Sequence, residues 1–182
     1  MMNLNIPEAL FLYIPNFIEV PDSFDIMLQT IDWDSFQIRQ HNAPRKIAHY
    51  GEEYSYSGIT HPKVAIPPLL QAIIDDVNTF TSAGYNSVLC NLYFDHRSSV
   101  SWHQDNEKQL GHNPCIASIS FGQARNFAIR SKKNQTRYDI LLENNSLLIM
   151  GRNSQKLYEH AILKQTEPLG PRINLTLRNI KF

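Results

Sequence analysis

Between residues 66 and 80, apolar side chains recur at Ile66, Leu69, Leu70, Ile73, Ile74, Val77 and Phe80. That spacing draws one stripe along a helix, and Pro67 and Pro68 suit its first turn, where a missing N–H costs nothing. After Asn86 the period changes. Short apolar runs of strand length recur at 87–93, 116–121, 126–129, 138–142, 147–150 and 172–177, divided by Gly, Asn and polar clusters. Ahead of the helix, residues 10–14 read as a short strand, Pro21-Asp22-Ser23 as the start of a helix through Gln29, and 45–51 as a strand and turn. Tyr54 and Tyr56 alternate as on one strand face. Helices early and many short strands late predict a mainly β (α+β) fold, a two-sheet, barrel-like sandwich buttressed by N-terminal helices. No repeat, low-complexity tract or linker divides the chain, so 1–182 reads as a single domain: about 1–85 an N-terminal extension and about 86–182 the β core.

Composition adds little beyond exclusions. The 182 residues carry a formal net charge of +0, which argues against a protein that coats nucleic acid indiscriminately but leaves room for local basic patches. Cys90 and Cys115 sit in apolar runs without CxxC spacing and read as reduced core residues in a reducing compartment. No basic leader precedes an apolar core at the N-terminus, and no apolar run is long enough to span a bilayer. The expectation is a soluble intracellular protein, of cytoplasm and nucleoid or of a nucleus, with no membrane partner. Without heptads or a large exposed apolar stripe, a monomer is the default.

The chemistry concentrates in Ser101-Trp102-His103-Gln104-Asp105-Asn106-Glu107, just beyond the apolar run 87–93. On an extended backbone His103 and Asp105 share a face. An aspartate in such apolar surroundings requires a cation, a donor or a metal. His160, far downstream, is available as a third ligand. Two histidines and a carboxylate form the facial triad that holds Fe(II) and leaves the opposite positions open. His-x-Asp alone also occurs as a core histidine bonded to a carboxylate. The discriminating feature is Arg172-Ile173-Asn174-Leu175-Thr176-Leu177-Arg178, whose polar members share one face and whose apolar members share the other. Arginines on one face also describe an ordinary solvated edge. Beside a metal triad they describe a wall for carboxylates, one planar guanidinium for each end of a dicarboxylate.

These segments, together with Asn91-Leu92-Tyr93, Ala117-Ser118-Ile119-Ser120-Phe121-Gly122 and Pro44-Arg45-Lys46, resemble the AlkB family of Fe(II)- and 2-oxoglutarate-dependent dioxygenases, the oxidative nucleic-acid demethylases. The likeness runs from about Pro44 to Arg178 and is nearest to the short mammalian-type DNA-repair members. It implies a double-stranded β-helix (jelly roll) with His103, Asp105 and His160 on Fe(II). Tyr93 and Arg172 would meet the distal carboxylate of 2-oxoglutarate. Asn91 and Arg178 would lie near the keto-acid end, with Asn174 on the same wall. With O2 as second co-substrate, an N-methyl group on 1-methyladenine or 3-methylcytosine would leave as formaldehyde, with succinate and CO2 as co-products. The stretch ahead of residue 86 would include a substrate-recognition lid. Tyr54, Tyr56 and Glu107 fall where relatives contact the base, with His103 opposite; the tyrosines equally describe a strand face packed on the core, and Glu107 a surface loop acid. Arg45 and Lys46, with Arg39, Arg97, Lys132 and Lys133, are candidates for phosphates. Trp102 reads as core packing.

One departure bears on the substrate. Relatives specialised for duplex DNA carry a bulky finger where spacing here puts Gln37, so alkylated single-stranded DNA is favoured over duplex, with RNA as an alternative. Two other readings stay open: a 2-oxoglutarate-dependent hydroxylase of a protein or small molecule, and a β-sandwich that binds without turnover.

Overall fold

A computed structural model describes residues 1–33, 45–56 and 58–181, with the side chain of Tyr56 outside that set. The strands are β1 (Met2–Asn3), β2 (Phe11–Ile14), β3 (Arg45–Gly51), β4 (Tyr54–Tyr56), β5 (Ile59–His61), β6 (Ser87–Tyr93), β7 (Val100–His103), β8 (Ile116–Gly122), β9 (Arg125–Ser131), β10 (Arg137–Leu142), β11 (Ser146–Met150), β12 (Tyr158–Ile162) and β13 (Arg172–Arg178). The helices are α1 (Ser23–Thr30), α2 (Pro68–Thr81) and α3 (Ser154–Leu157).

Two antiparallel sheets face each other. The larger runs β1-β2-β11-β8-β13-β6-β3 and the smaller β10-β9-β12-β7; β4 and β5 pair as a separate hairpin. This is the jelly-roll sandwich the strand pattern predicts. The expected boundary near residue 85 does not fall between layers, because β2 pairs with β11 and β3 with β6 in one continuous sheet. The stretch before the core therefore supplies strands to the core sheet itself.

α2 forms where its stripe demands. Pro67 precedes it and Pro68 opens it, and Leu70, Ile73, Ile74 and Val77 are buried against the large sheet. Each such burial contributes roughly 1.5–3 kcal/mol. Phe80, expected on the same stripe, sits at its exposed end and meets Phe17 edge-on, the ring centroids 5.6 Å apart. The helix ends at Ser82 in the left-handed conformation, and Asn78 reaches past the end to both backbone groups of Tyr85.

The large sheet is covered on both faces, which explains why β6 is buried at every position. On one face Val88, Cys90 and Leu92 join Ile173, Leu175 and Leu177 in the main core. On the other, Leu89, Asn91 and Tyr93 look toward the small sheet. β13 lies between β8 and β6, so its polar residues are not on a solvated edge. Arg172, Asn174 and Arg178 are all buried between the sheets. Among the described residues no helix is long and apolar enough to cross a membrane.

Candidate metal and 2-oxo acid site

β12 was not distinguishable as a strand from its own pattern, yet it brings the distant histidine home. It lies between β9 and β7, and His160 pairs in register with His103. Their rings approach edge to face with centroids 4.3 Å apart. Asp105 follows two residues beyond the end of β7, its backbone N–H bonded to Gln155 Oε1 at 2.9 Å. The ligating atoms of His103, Asp105 and His160 all lie within 4.8 Å of one another.

The donor set fits a divalent cation. Asp105 Oδ1 accepts from Arg178 Nη2 at 2.6 Å, while Oδ2, 3.8 Å from His160 Nε2, is buried without a hydrogen-bond partner. An orphaned carboxylate oxygen facing two imidazoles is a metal-ligand arrangement. His103 Nδ1 lies 2.8 Å from the carbonyl oxygen of Ser101, which can only accept. That bond places the proton on Nδ1 and makes Nε2 the ligating nitrogen. Burial, reinforced by His103 and only partly opposed by Asp105, lowers the His160 pKa to about 3, so its imidazole is neutral and able to ligate. Burial alone would raise Asp105; Arg178, His160 and His103 outweigh it and hold the carboxyl at about 2.

The cavity beside the triad has about 520 Å³ of empty space, part of it open to solvent, and Asn91, Tyr93, Arg172, Asn174 and Arg178 line it together with the three candidate ligands. Asn91 stands opposite Asn174 and Tyr93 opposite Arg172 across β6 and β13. Arg172 donates through Nη2 to Ser120 Oγ at 2.9 Å, while its Nε and Nη1 are buried without partners. Burial lowers its pKa, partly offset by Tyr93, to about 10, so the group is cationic at neutral pH. Two unsatisfied guanidinium donors at the wall of a cavity suit a carboxylate. Asn174 donates to Ser118 Oγ at 2.7 Å and accepts from Thr176 Oγ1 at 2.9 Å, which fixes the wall between the two arginines.

The expected substrate contacts fare differently. Glu107 keeps a buried Oε2, and its carboxylate acts on the Tyr54 hydroxyl. Tyr54, expected to face a base, has no exposed surface; the Arg178 guanidinium lies over its ring at 4.8 Å, so it packs behind the site. The side chain of Tyr56 lies outside the described residues, as do Arg39, Pro44 and the Gln37 segment. Arg45, expected at a phosphate, is buried and lines the cavity, opposite Tyr93 across β3 and β6. Lys46, its neighbour on the strand, is half-buried. Arg97 is exposed and paired with Asp95, and Lys132 donates to Gln104 Oε1 at 2.6 Å. Trp102 is half-buried beneath the Arg130 guanidinium, 4.2 Å from its centroid, instead of lying in the core. Gln155, which positions Asp105, carried no signal in the sequence, since a lone glutamine on a short helix fits any surface.

A family model described as the 2OG-Fe(II) oxygenase superfamily matches residues 13–178. The chain belongs to the 2OG-Fe(II) oxygenase superfamily. It is 35% identical over 184 residues to "Alpha-ketoglutarate-dependent dioxygenase alkB homolog 3" of Homo sapiens, covering 91% of this chain and 64% of that protein. It is 35% identical over 152 residues to "DNA oxidative demethylase ALKBH2" of Bos taurus, covering 77% of this chain and 54% of the relative. The names of these relatives are of the AlkB type that the motifs resemble. The chain spans less than two-thirds of the length of these curated relatives, 64% and 54% respectively. A solved structure, "The structure of OsALKBH1", superposes with a TM-score of 0.67 at 18% identity, covering 93% of this chain and 97% of that one. That match supports the fold.

Proposed function

We propose that this oxygenase is an Fe(II)- and 2-oxoglutarate-dependent oxidative demethylase that removes N-methyl groups from nucleic-acid bases. The observation that carries the reading is the joining, in one cavity, of the His103–Asp105–His160 cluster with the Arg172–Asn174–Arg178 wall. The demethylase names of the alkB-type relatives support the choice of substrate.

Iron bound with the oxo acid and O2 would supply the oxidation of an N-methyl group, giving formaldehyde, succinate and CO2. The protein's part is arrangement. His103, Asp105 and His160 would occupy one face of the metal, and Arg178 holds Asp105 in its ligating pose by its bond to Oδ1. Arg172 would receive the distal carboxylate with Tyr93 beside it, setting the oxo acid's direction across the cavity. Asn91 and Arg178 would flank the keto-acid end, and the sheets on either side exclude water. Glu107, two residues beyond Asp105, would offer its carboxylate to a cationic methylated base such as 1-methyladenine or 3-methylcytosine. We favour single-stranded DNA, where a base reaches such a cavity without the cost of unpairing. Arg45 and Lys46 stand at the strand that leads into this region.

The test is incubation with methylated single- and double-stranded DNA and RNA oligomers. Formaldehyde and succinate should form in equal amounts from the single-stranded DNA and not with His103→Ala. Oxo-acid turnover with no methylated oligomer consumed would point to a protein or small-molecule hydroxylase, and no turnover of any kind to a binding protein.

A further inference from the structure

Arg125 opens β9 and is one of the largest side chains in the molecule with essentially no exposed surface. Its position is unusual in its partners. The guanidinium donates to three backbone carbonyls, those of Asp95 at 3.1 Å, Ser98 at 2.9 Å and Leu163 at 3.1 Å. Its Nε has no partner. The nearest acid acting on it is Asp95, whose carboxylate is itself held by Arg97 at 2.6 Å.

Arg125 and Arg172 lie over the same phenol. Their guanidinium carbons are 5.9 Å and 5.2 Å from the Tyr93 ring centroid. Arg172 comes from the large sheet and Arg125 from the small one, so both layers meet at Tyr93, which lines the cavity. Both cations are buried, and their guanidinium groups donate to backbone carbonyls and to the Ser120 hydroxyl, which are neutral oxygens. Burying two like charges with no carboxylate bonded directly to either is costly, and an incoming anion relieves that cost. The carbonyl contacts also tie the β6–β7 loop to the β12–β13 connection, so Arg125 fixes the two segments that close this end.

We propose that Arg125 is a positioning residue for the oxo-acid co-substrate: by holding Tyr93 against Arg172 and adding a second buried positive charge, it makes the pocket select a dicarboxylate over a monocarboxylate 2-oxo acid. This rests on the co-substrate reading above. Arg125 does not line the cavity and acts through Tyr93 and Arg172.

The experiment reads binding, not turnover. Protein loaded with Mn(II), a redox-quiet stand-in for iron, is titrated calorimetrically with 2-oxoglutarate and with 2-oxovalerate, which keeps the 2-oxo acid and chain length but lacks the distal carboxylate. In Arg125→Met the affinity for 2-oxoglutarate should fall about tenfold, the scale of one screened buried charge, with 2-oxovalerate changed by less than about twofold. Arg125→Gln, which keeps an amide donor for the carbonyls, carries the same expectation and decides the matter should the Met variant not fold. Arg125→Lys should restore most of the selectivity. Equal loss for both acids, or an unchanged ratio in the neutral variants, overturns the role of Arg125. A wild-type protein with no preference for 2-oxoglutarate overturns the co-substrate reading itself.

Discussion

Replacing Arg178 with Met removes the counter-charge from a carboxylate that is nearly inaccessible. The pair is 2.6 Å apart, with side-chain exposures of 4% and 1%. Arg178 also spreads its guanidinium over Tyr54, so the same change opens a packing defect. Breaking a buried ion pair from one side costs about 3–5 kcal/mol, because the remaining charge is stranded. For a chain of this size each kcal/mol moves Tm by roughly 2–4 °C, which gives a fall of roughly 6–20 °C. The assay is thermal unfolding followed by circular dichroism on chelator-treated protein at neutral pH. Two controls separate the charge effect from the packing effect. Asp105→Asn combined with Arg178→Met should recover at least about half of the loss, since the stranded charge is gone. The deficit relative to wild type should also shrink on acidification. Without Arg178, burial raises the Asp105 carboxyl, so the penalty exists above that raised pKa and is relieved as pH falls through it. A loss below about 1 kcal/mol, or a double variant no better than the sum of the single ones, would refute the buried pair as the anchor of the site.

Other consequences are as specific. His49 is buried against Ser87 and His61, and burial, with His61 and Arg178 adding to it, lowers its pKa to about 4. Its folded-state pKa lies below the unfolded value, so it contributes stability above about pH 6.5 that is lost as pH falls toward about 4. His49→Gln should flatten the Tm-against-pH curve there by about one proton, roughly 1.4 kcal/mol per pH unit. Gly51 has φ +96 and a Cβ there would lie 2.2 Å from the carbonyl oxygen of Asn86, so Gly51→Ala should cost more than about 1 kcal/mol in a urea melt. Mn(II) should raise the Tm of the wild type and leave that of His103→Ala unchanged, since a metal stabilises only a fold that holds it.

The polar wall of the cavity was legible in the sequence because β13 alternates without interruption. Ile173, Leu175 and Leu177 enter the core, and Arg172, Asn174 and Arg178 must then face the other way. α2 was legible for the equivalent reason at helical period. The metal cluster required more than pattern: His160 meets His103 only because β12 inserts between β9 and β7, a long-range pairing that no local window records. Arg125 was invisible. Its partners are main-chain carbonyls from two separate loops, and a backbone carbonyl has the same identity at every position. Alternation at Tyr54 shows which residues share a face, and the Arg178 guanidinium over its ring is a long-range contact that no local window records.

The direct measurement of the central claim is anaerobic titration of the protein with Fe(II) and 2-oxoglutarate, followed by visible absorption. A weak band should emerge only with both present, and it should be lost in His103→Ala and shifted to higher oxo-acid concentration in Arg172→Met. A spectrum that stays flat in the wild type with both present would contradict the joint metal and oxo-acid site.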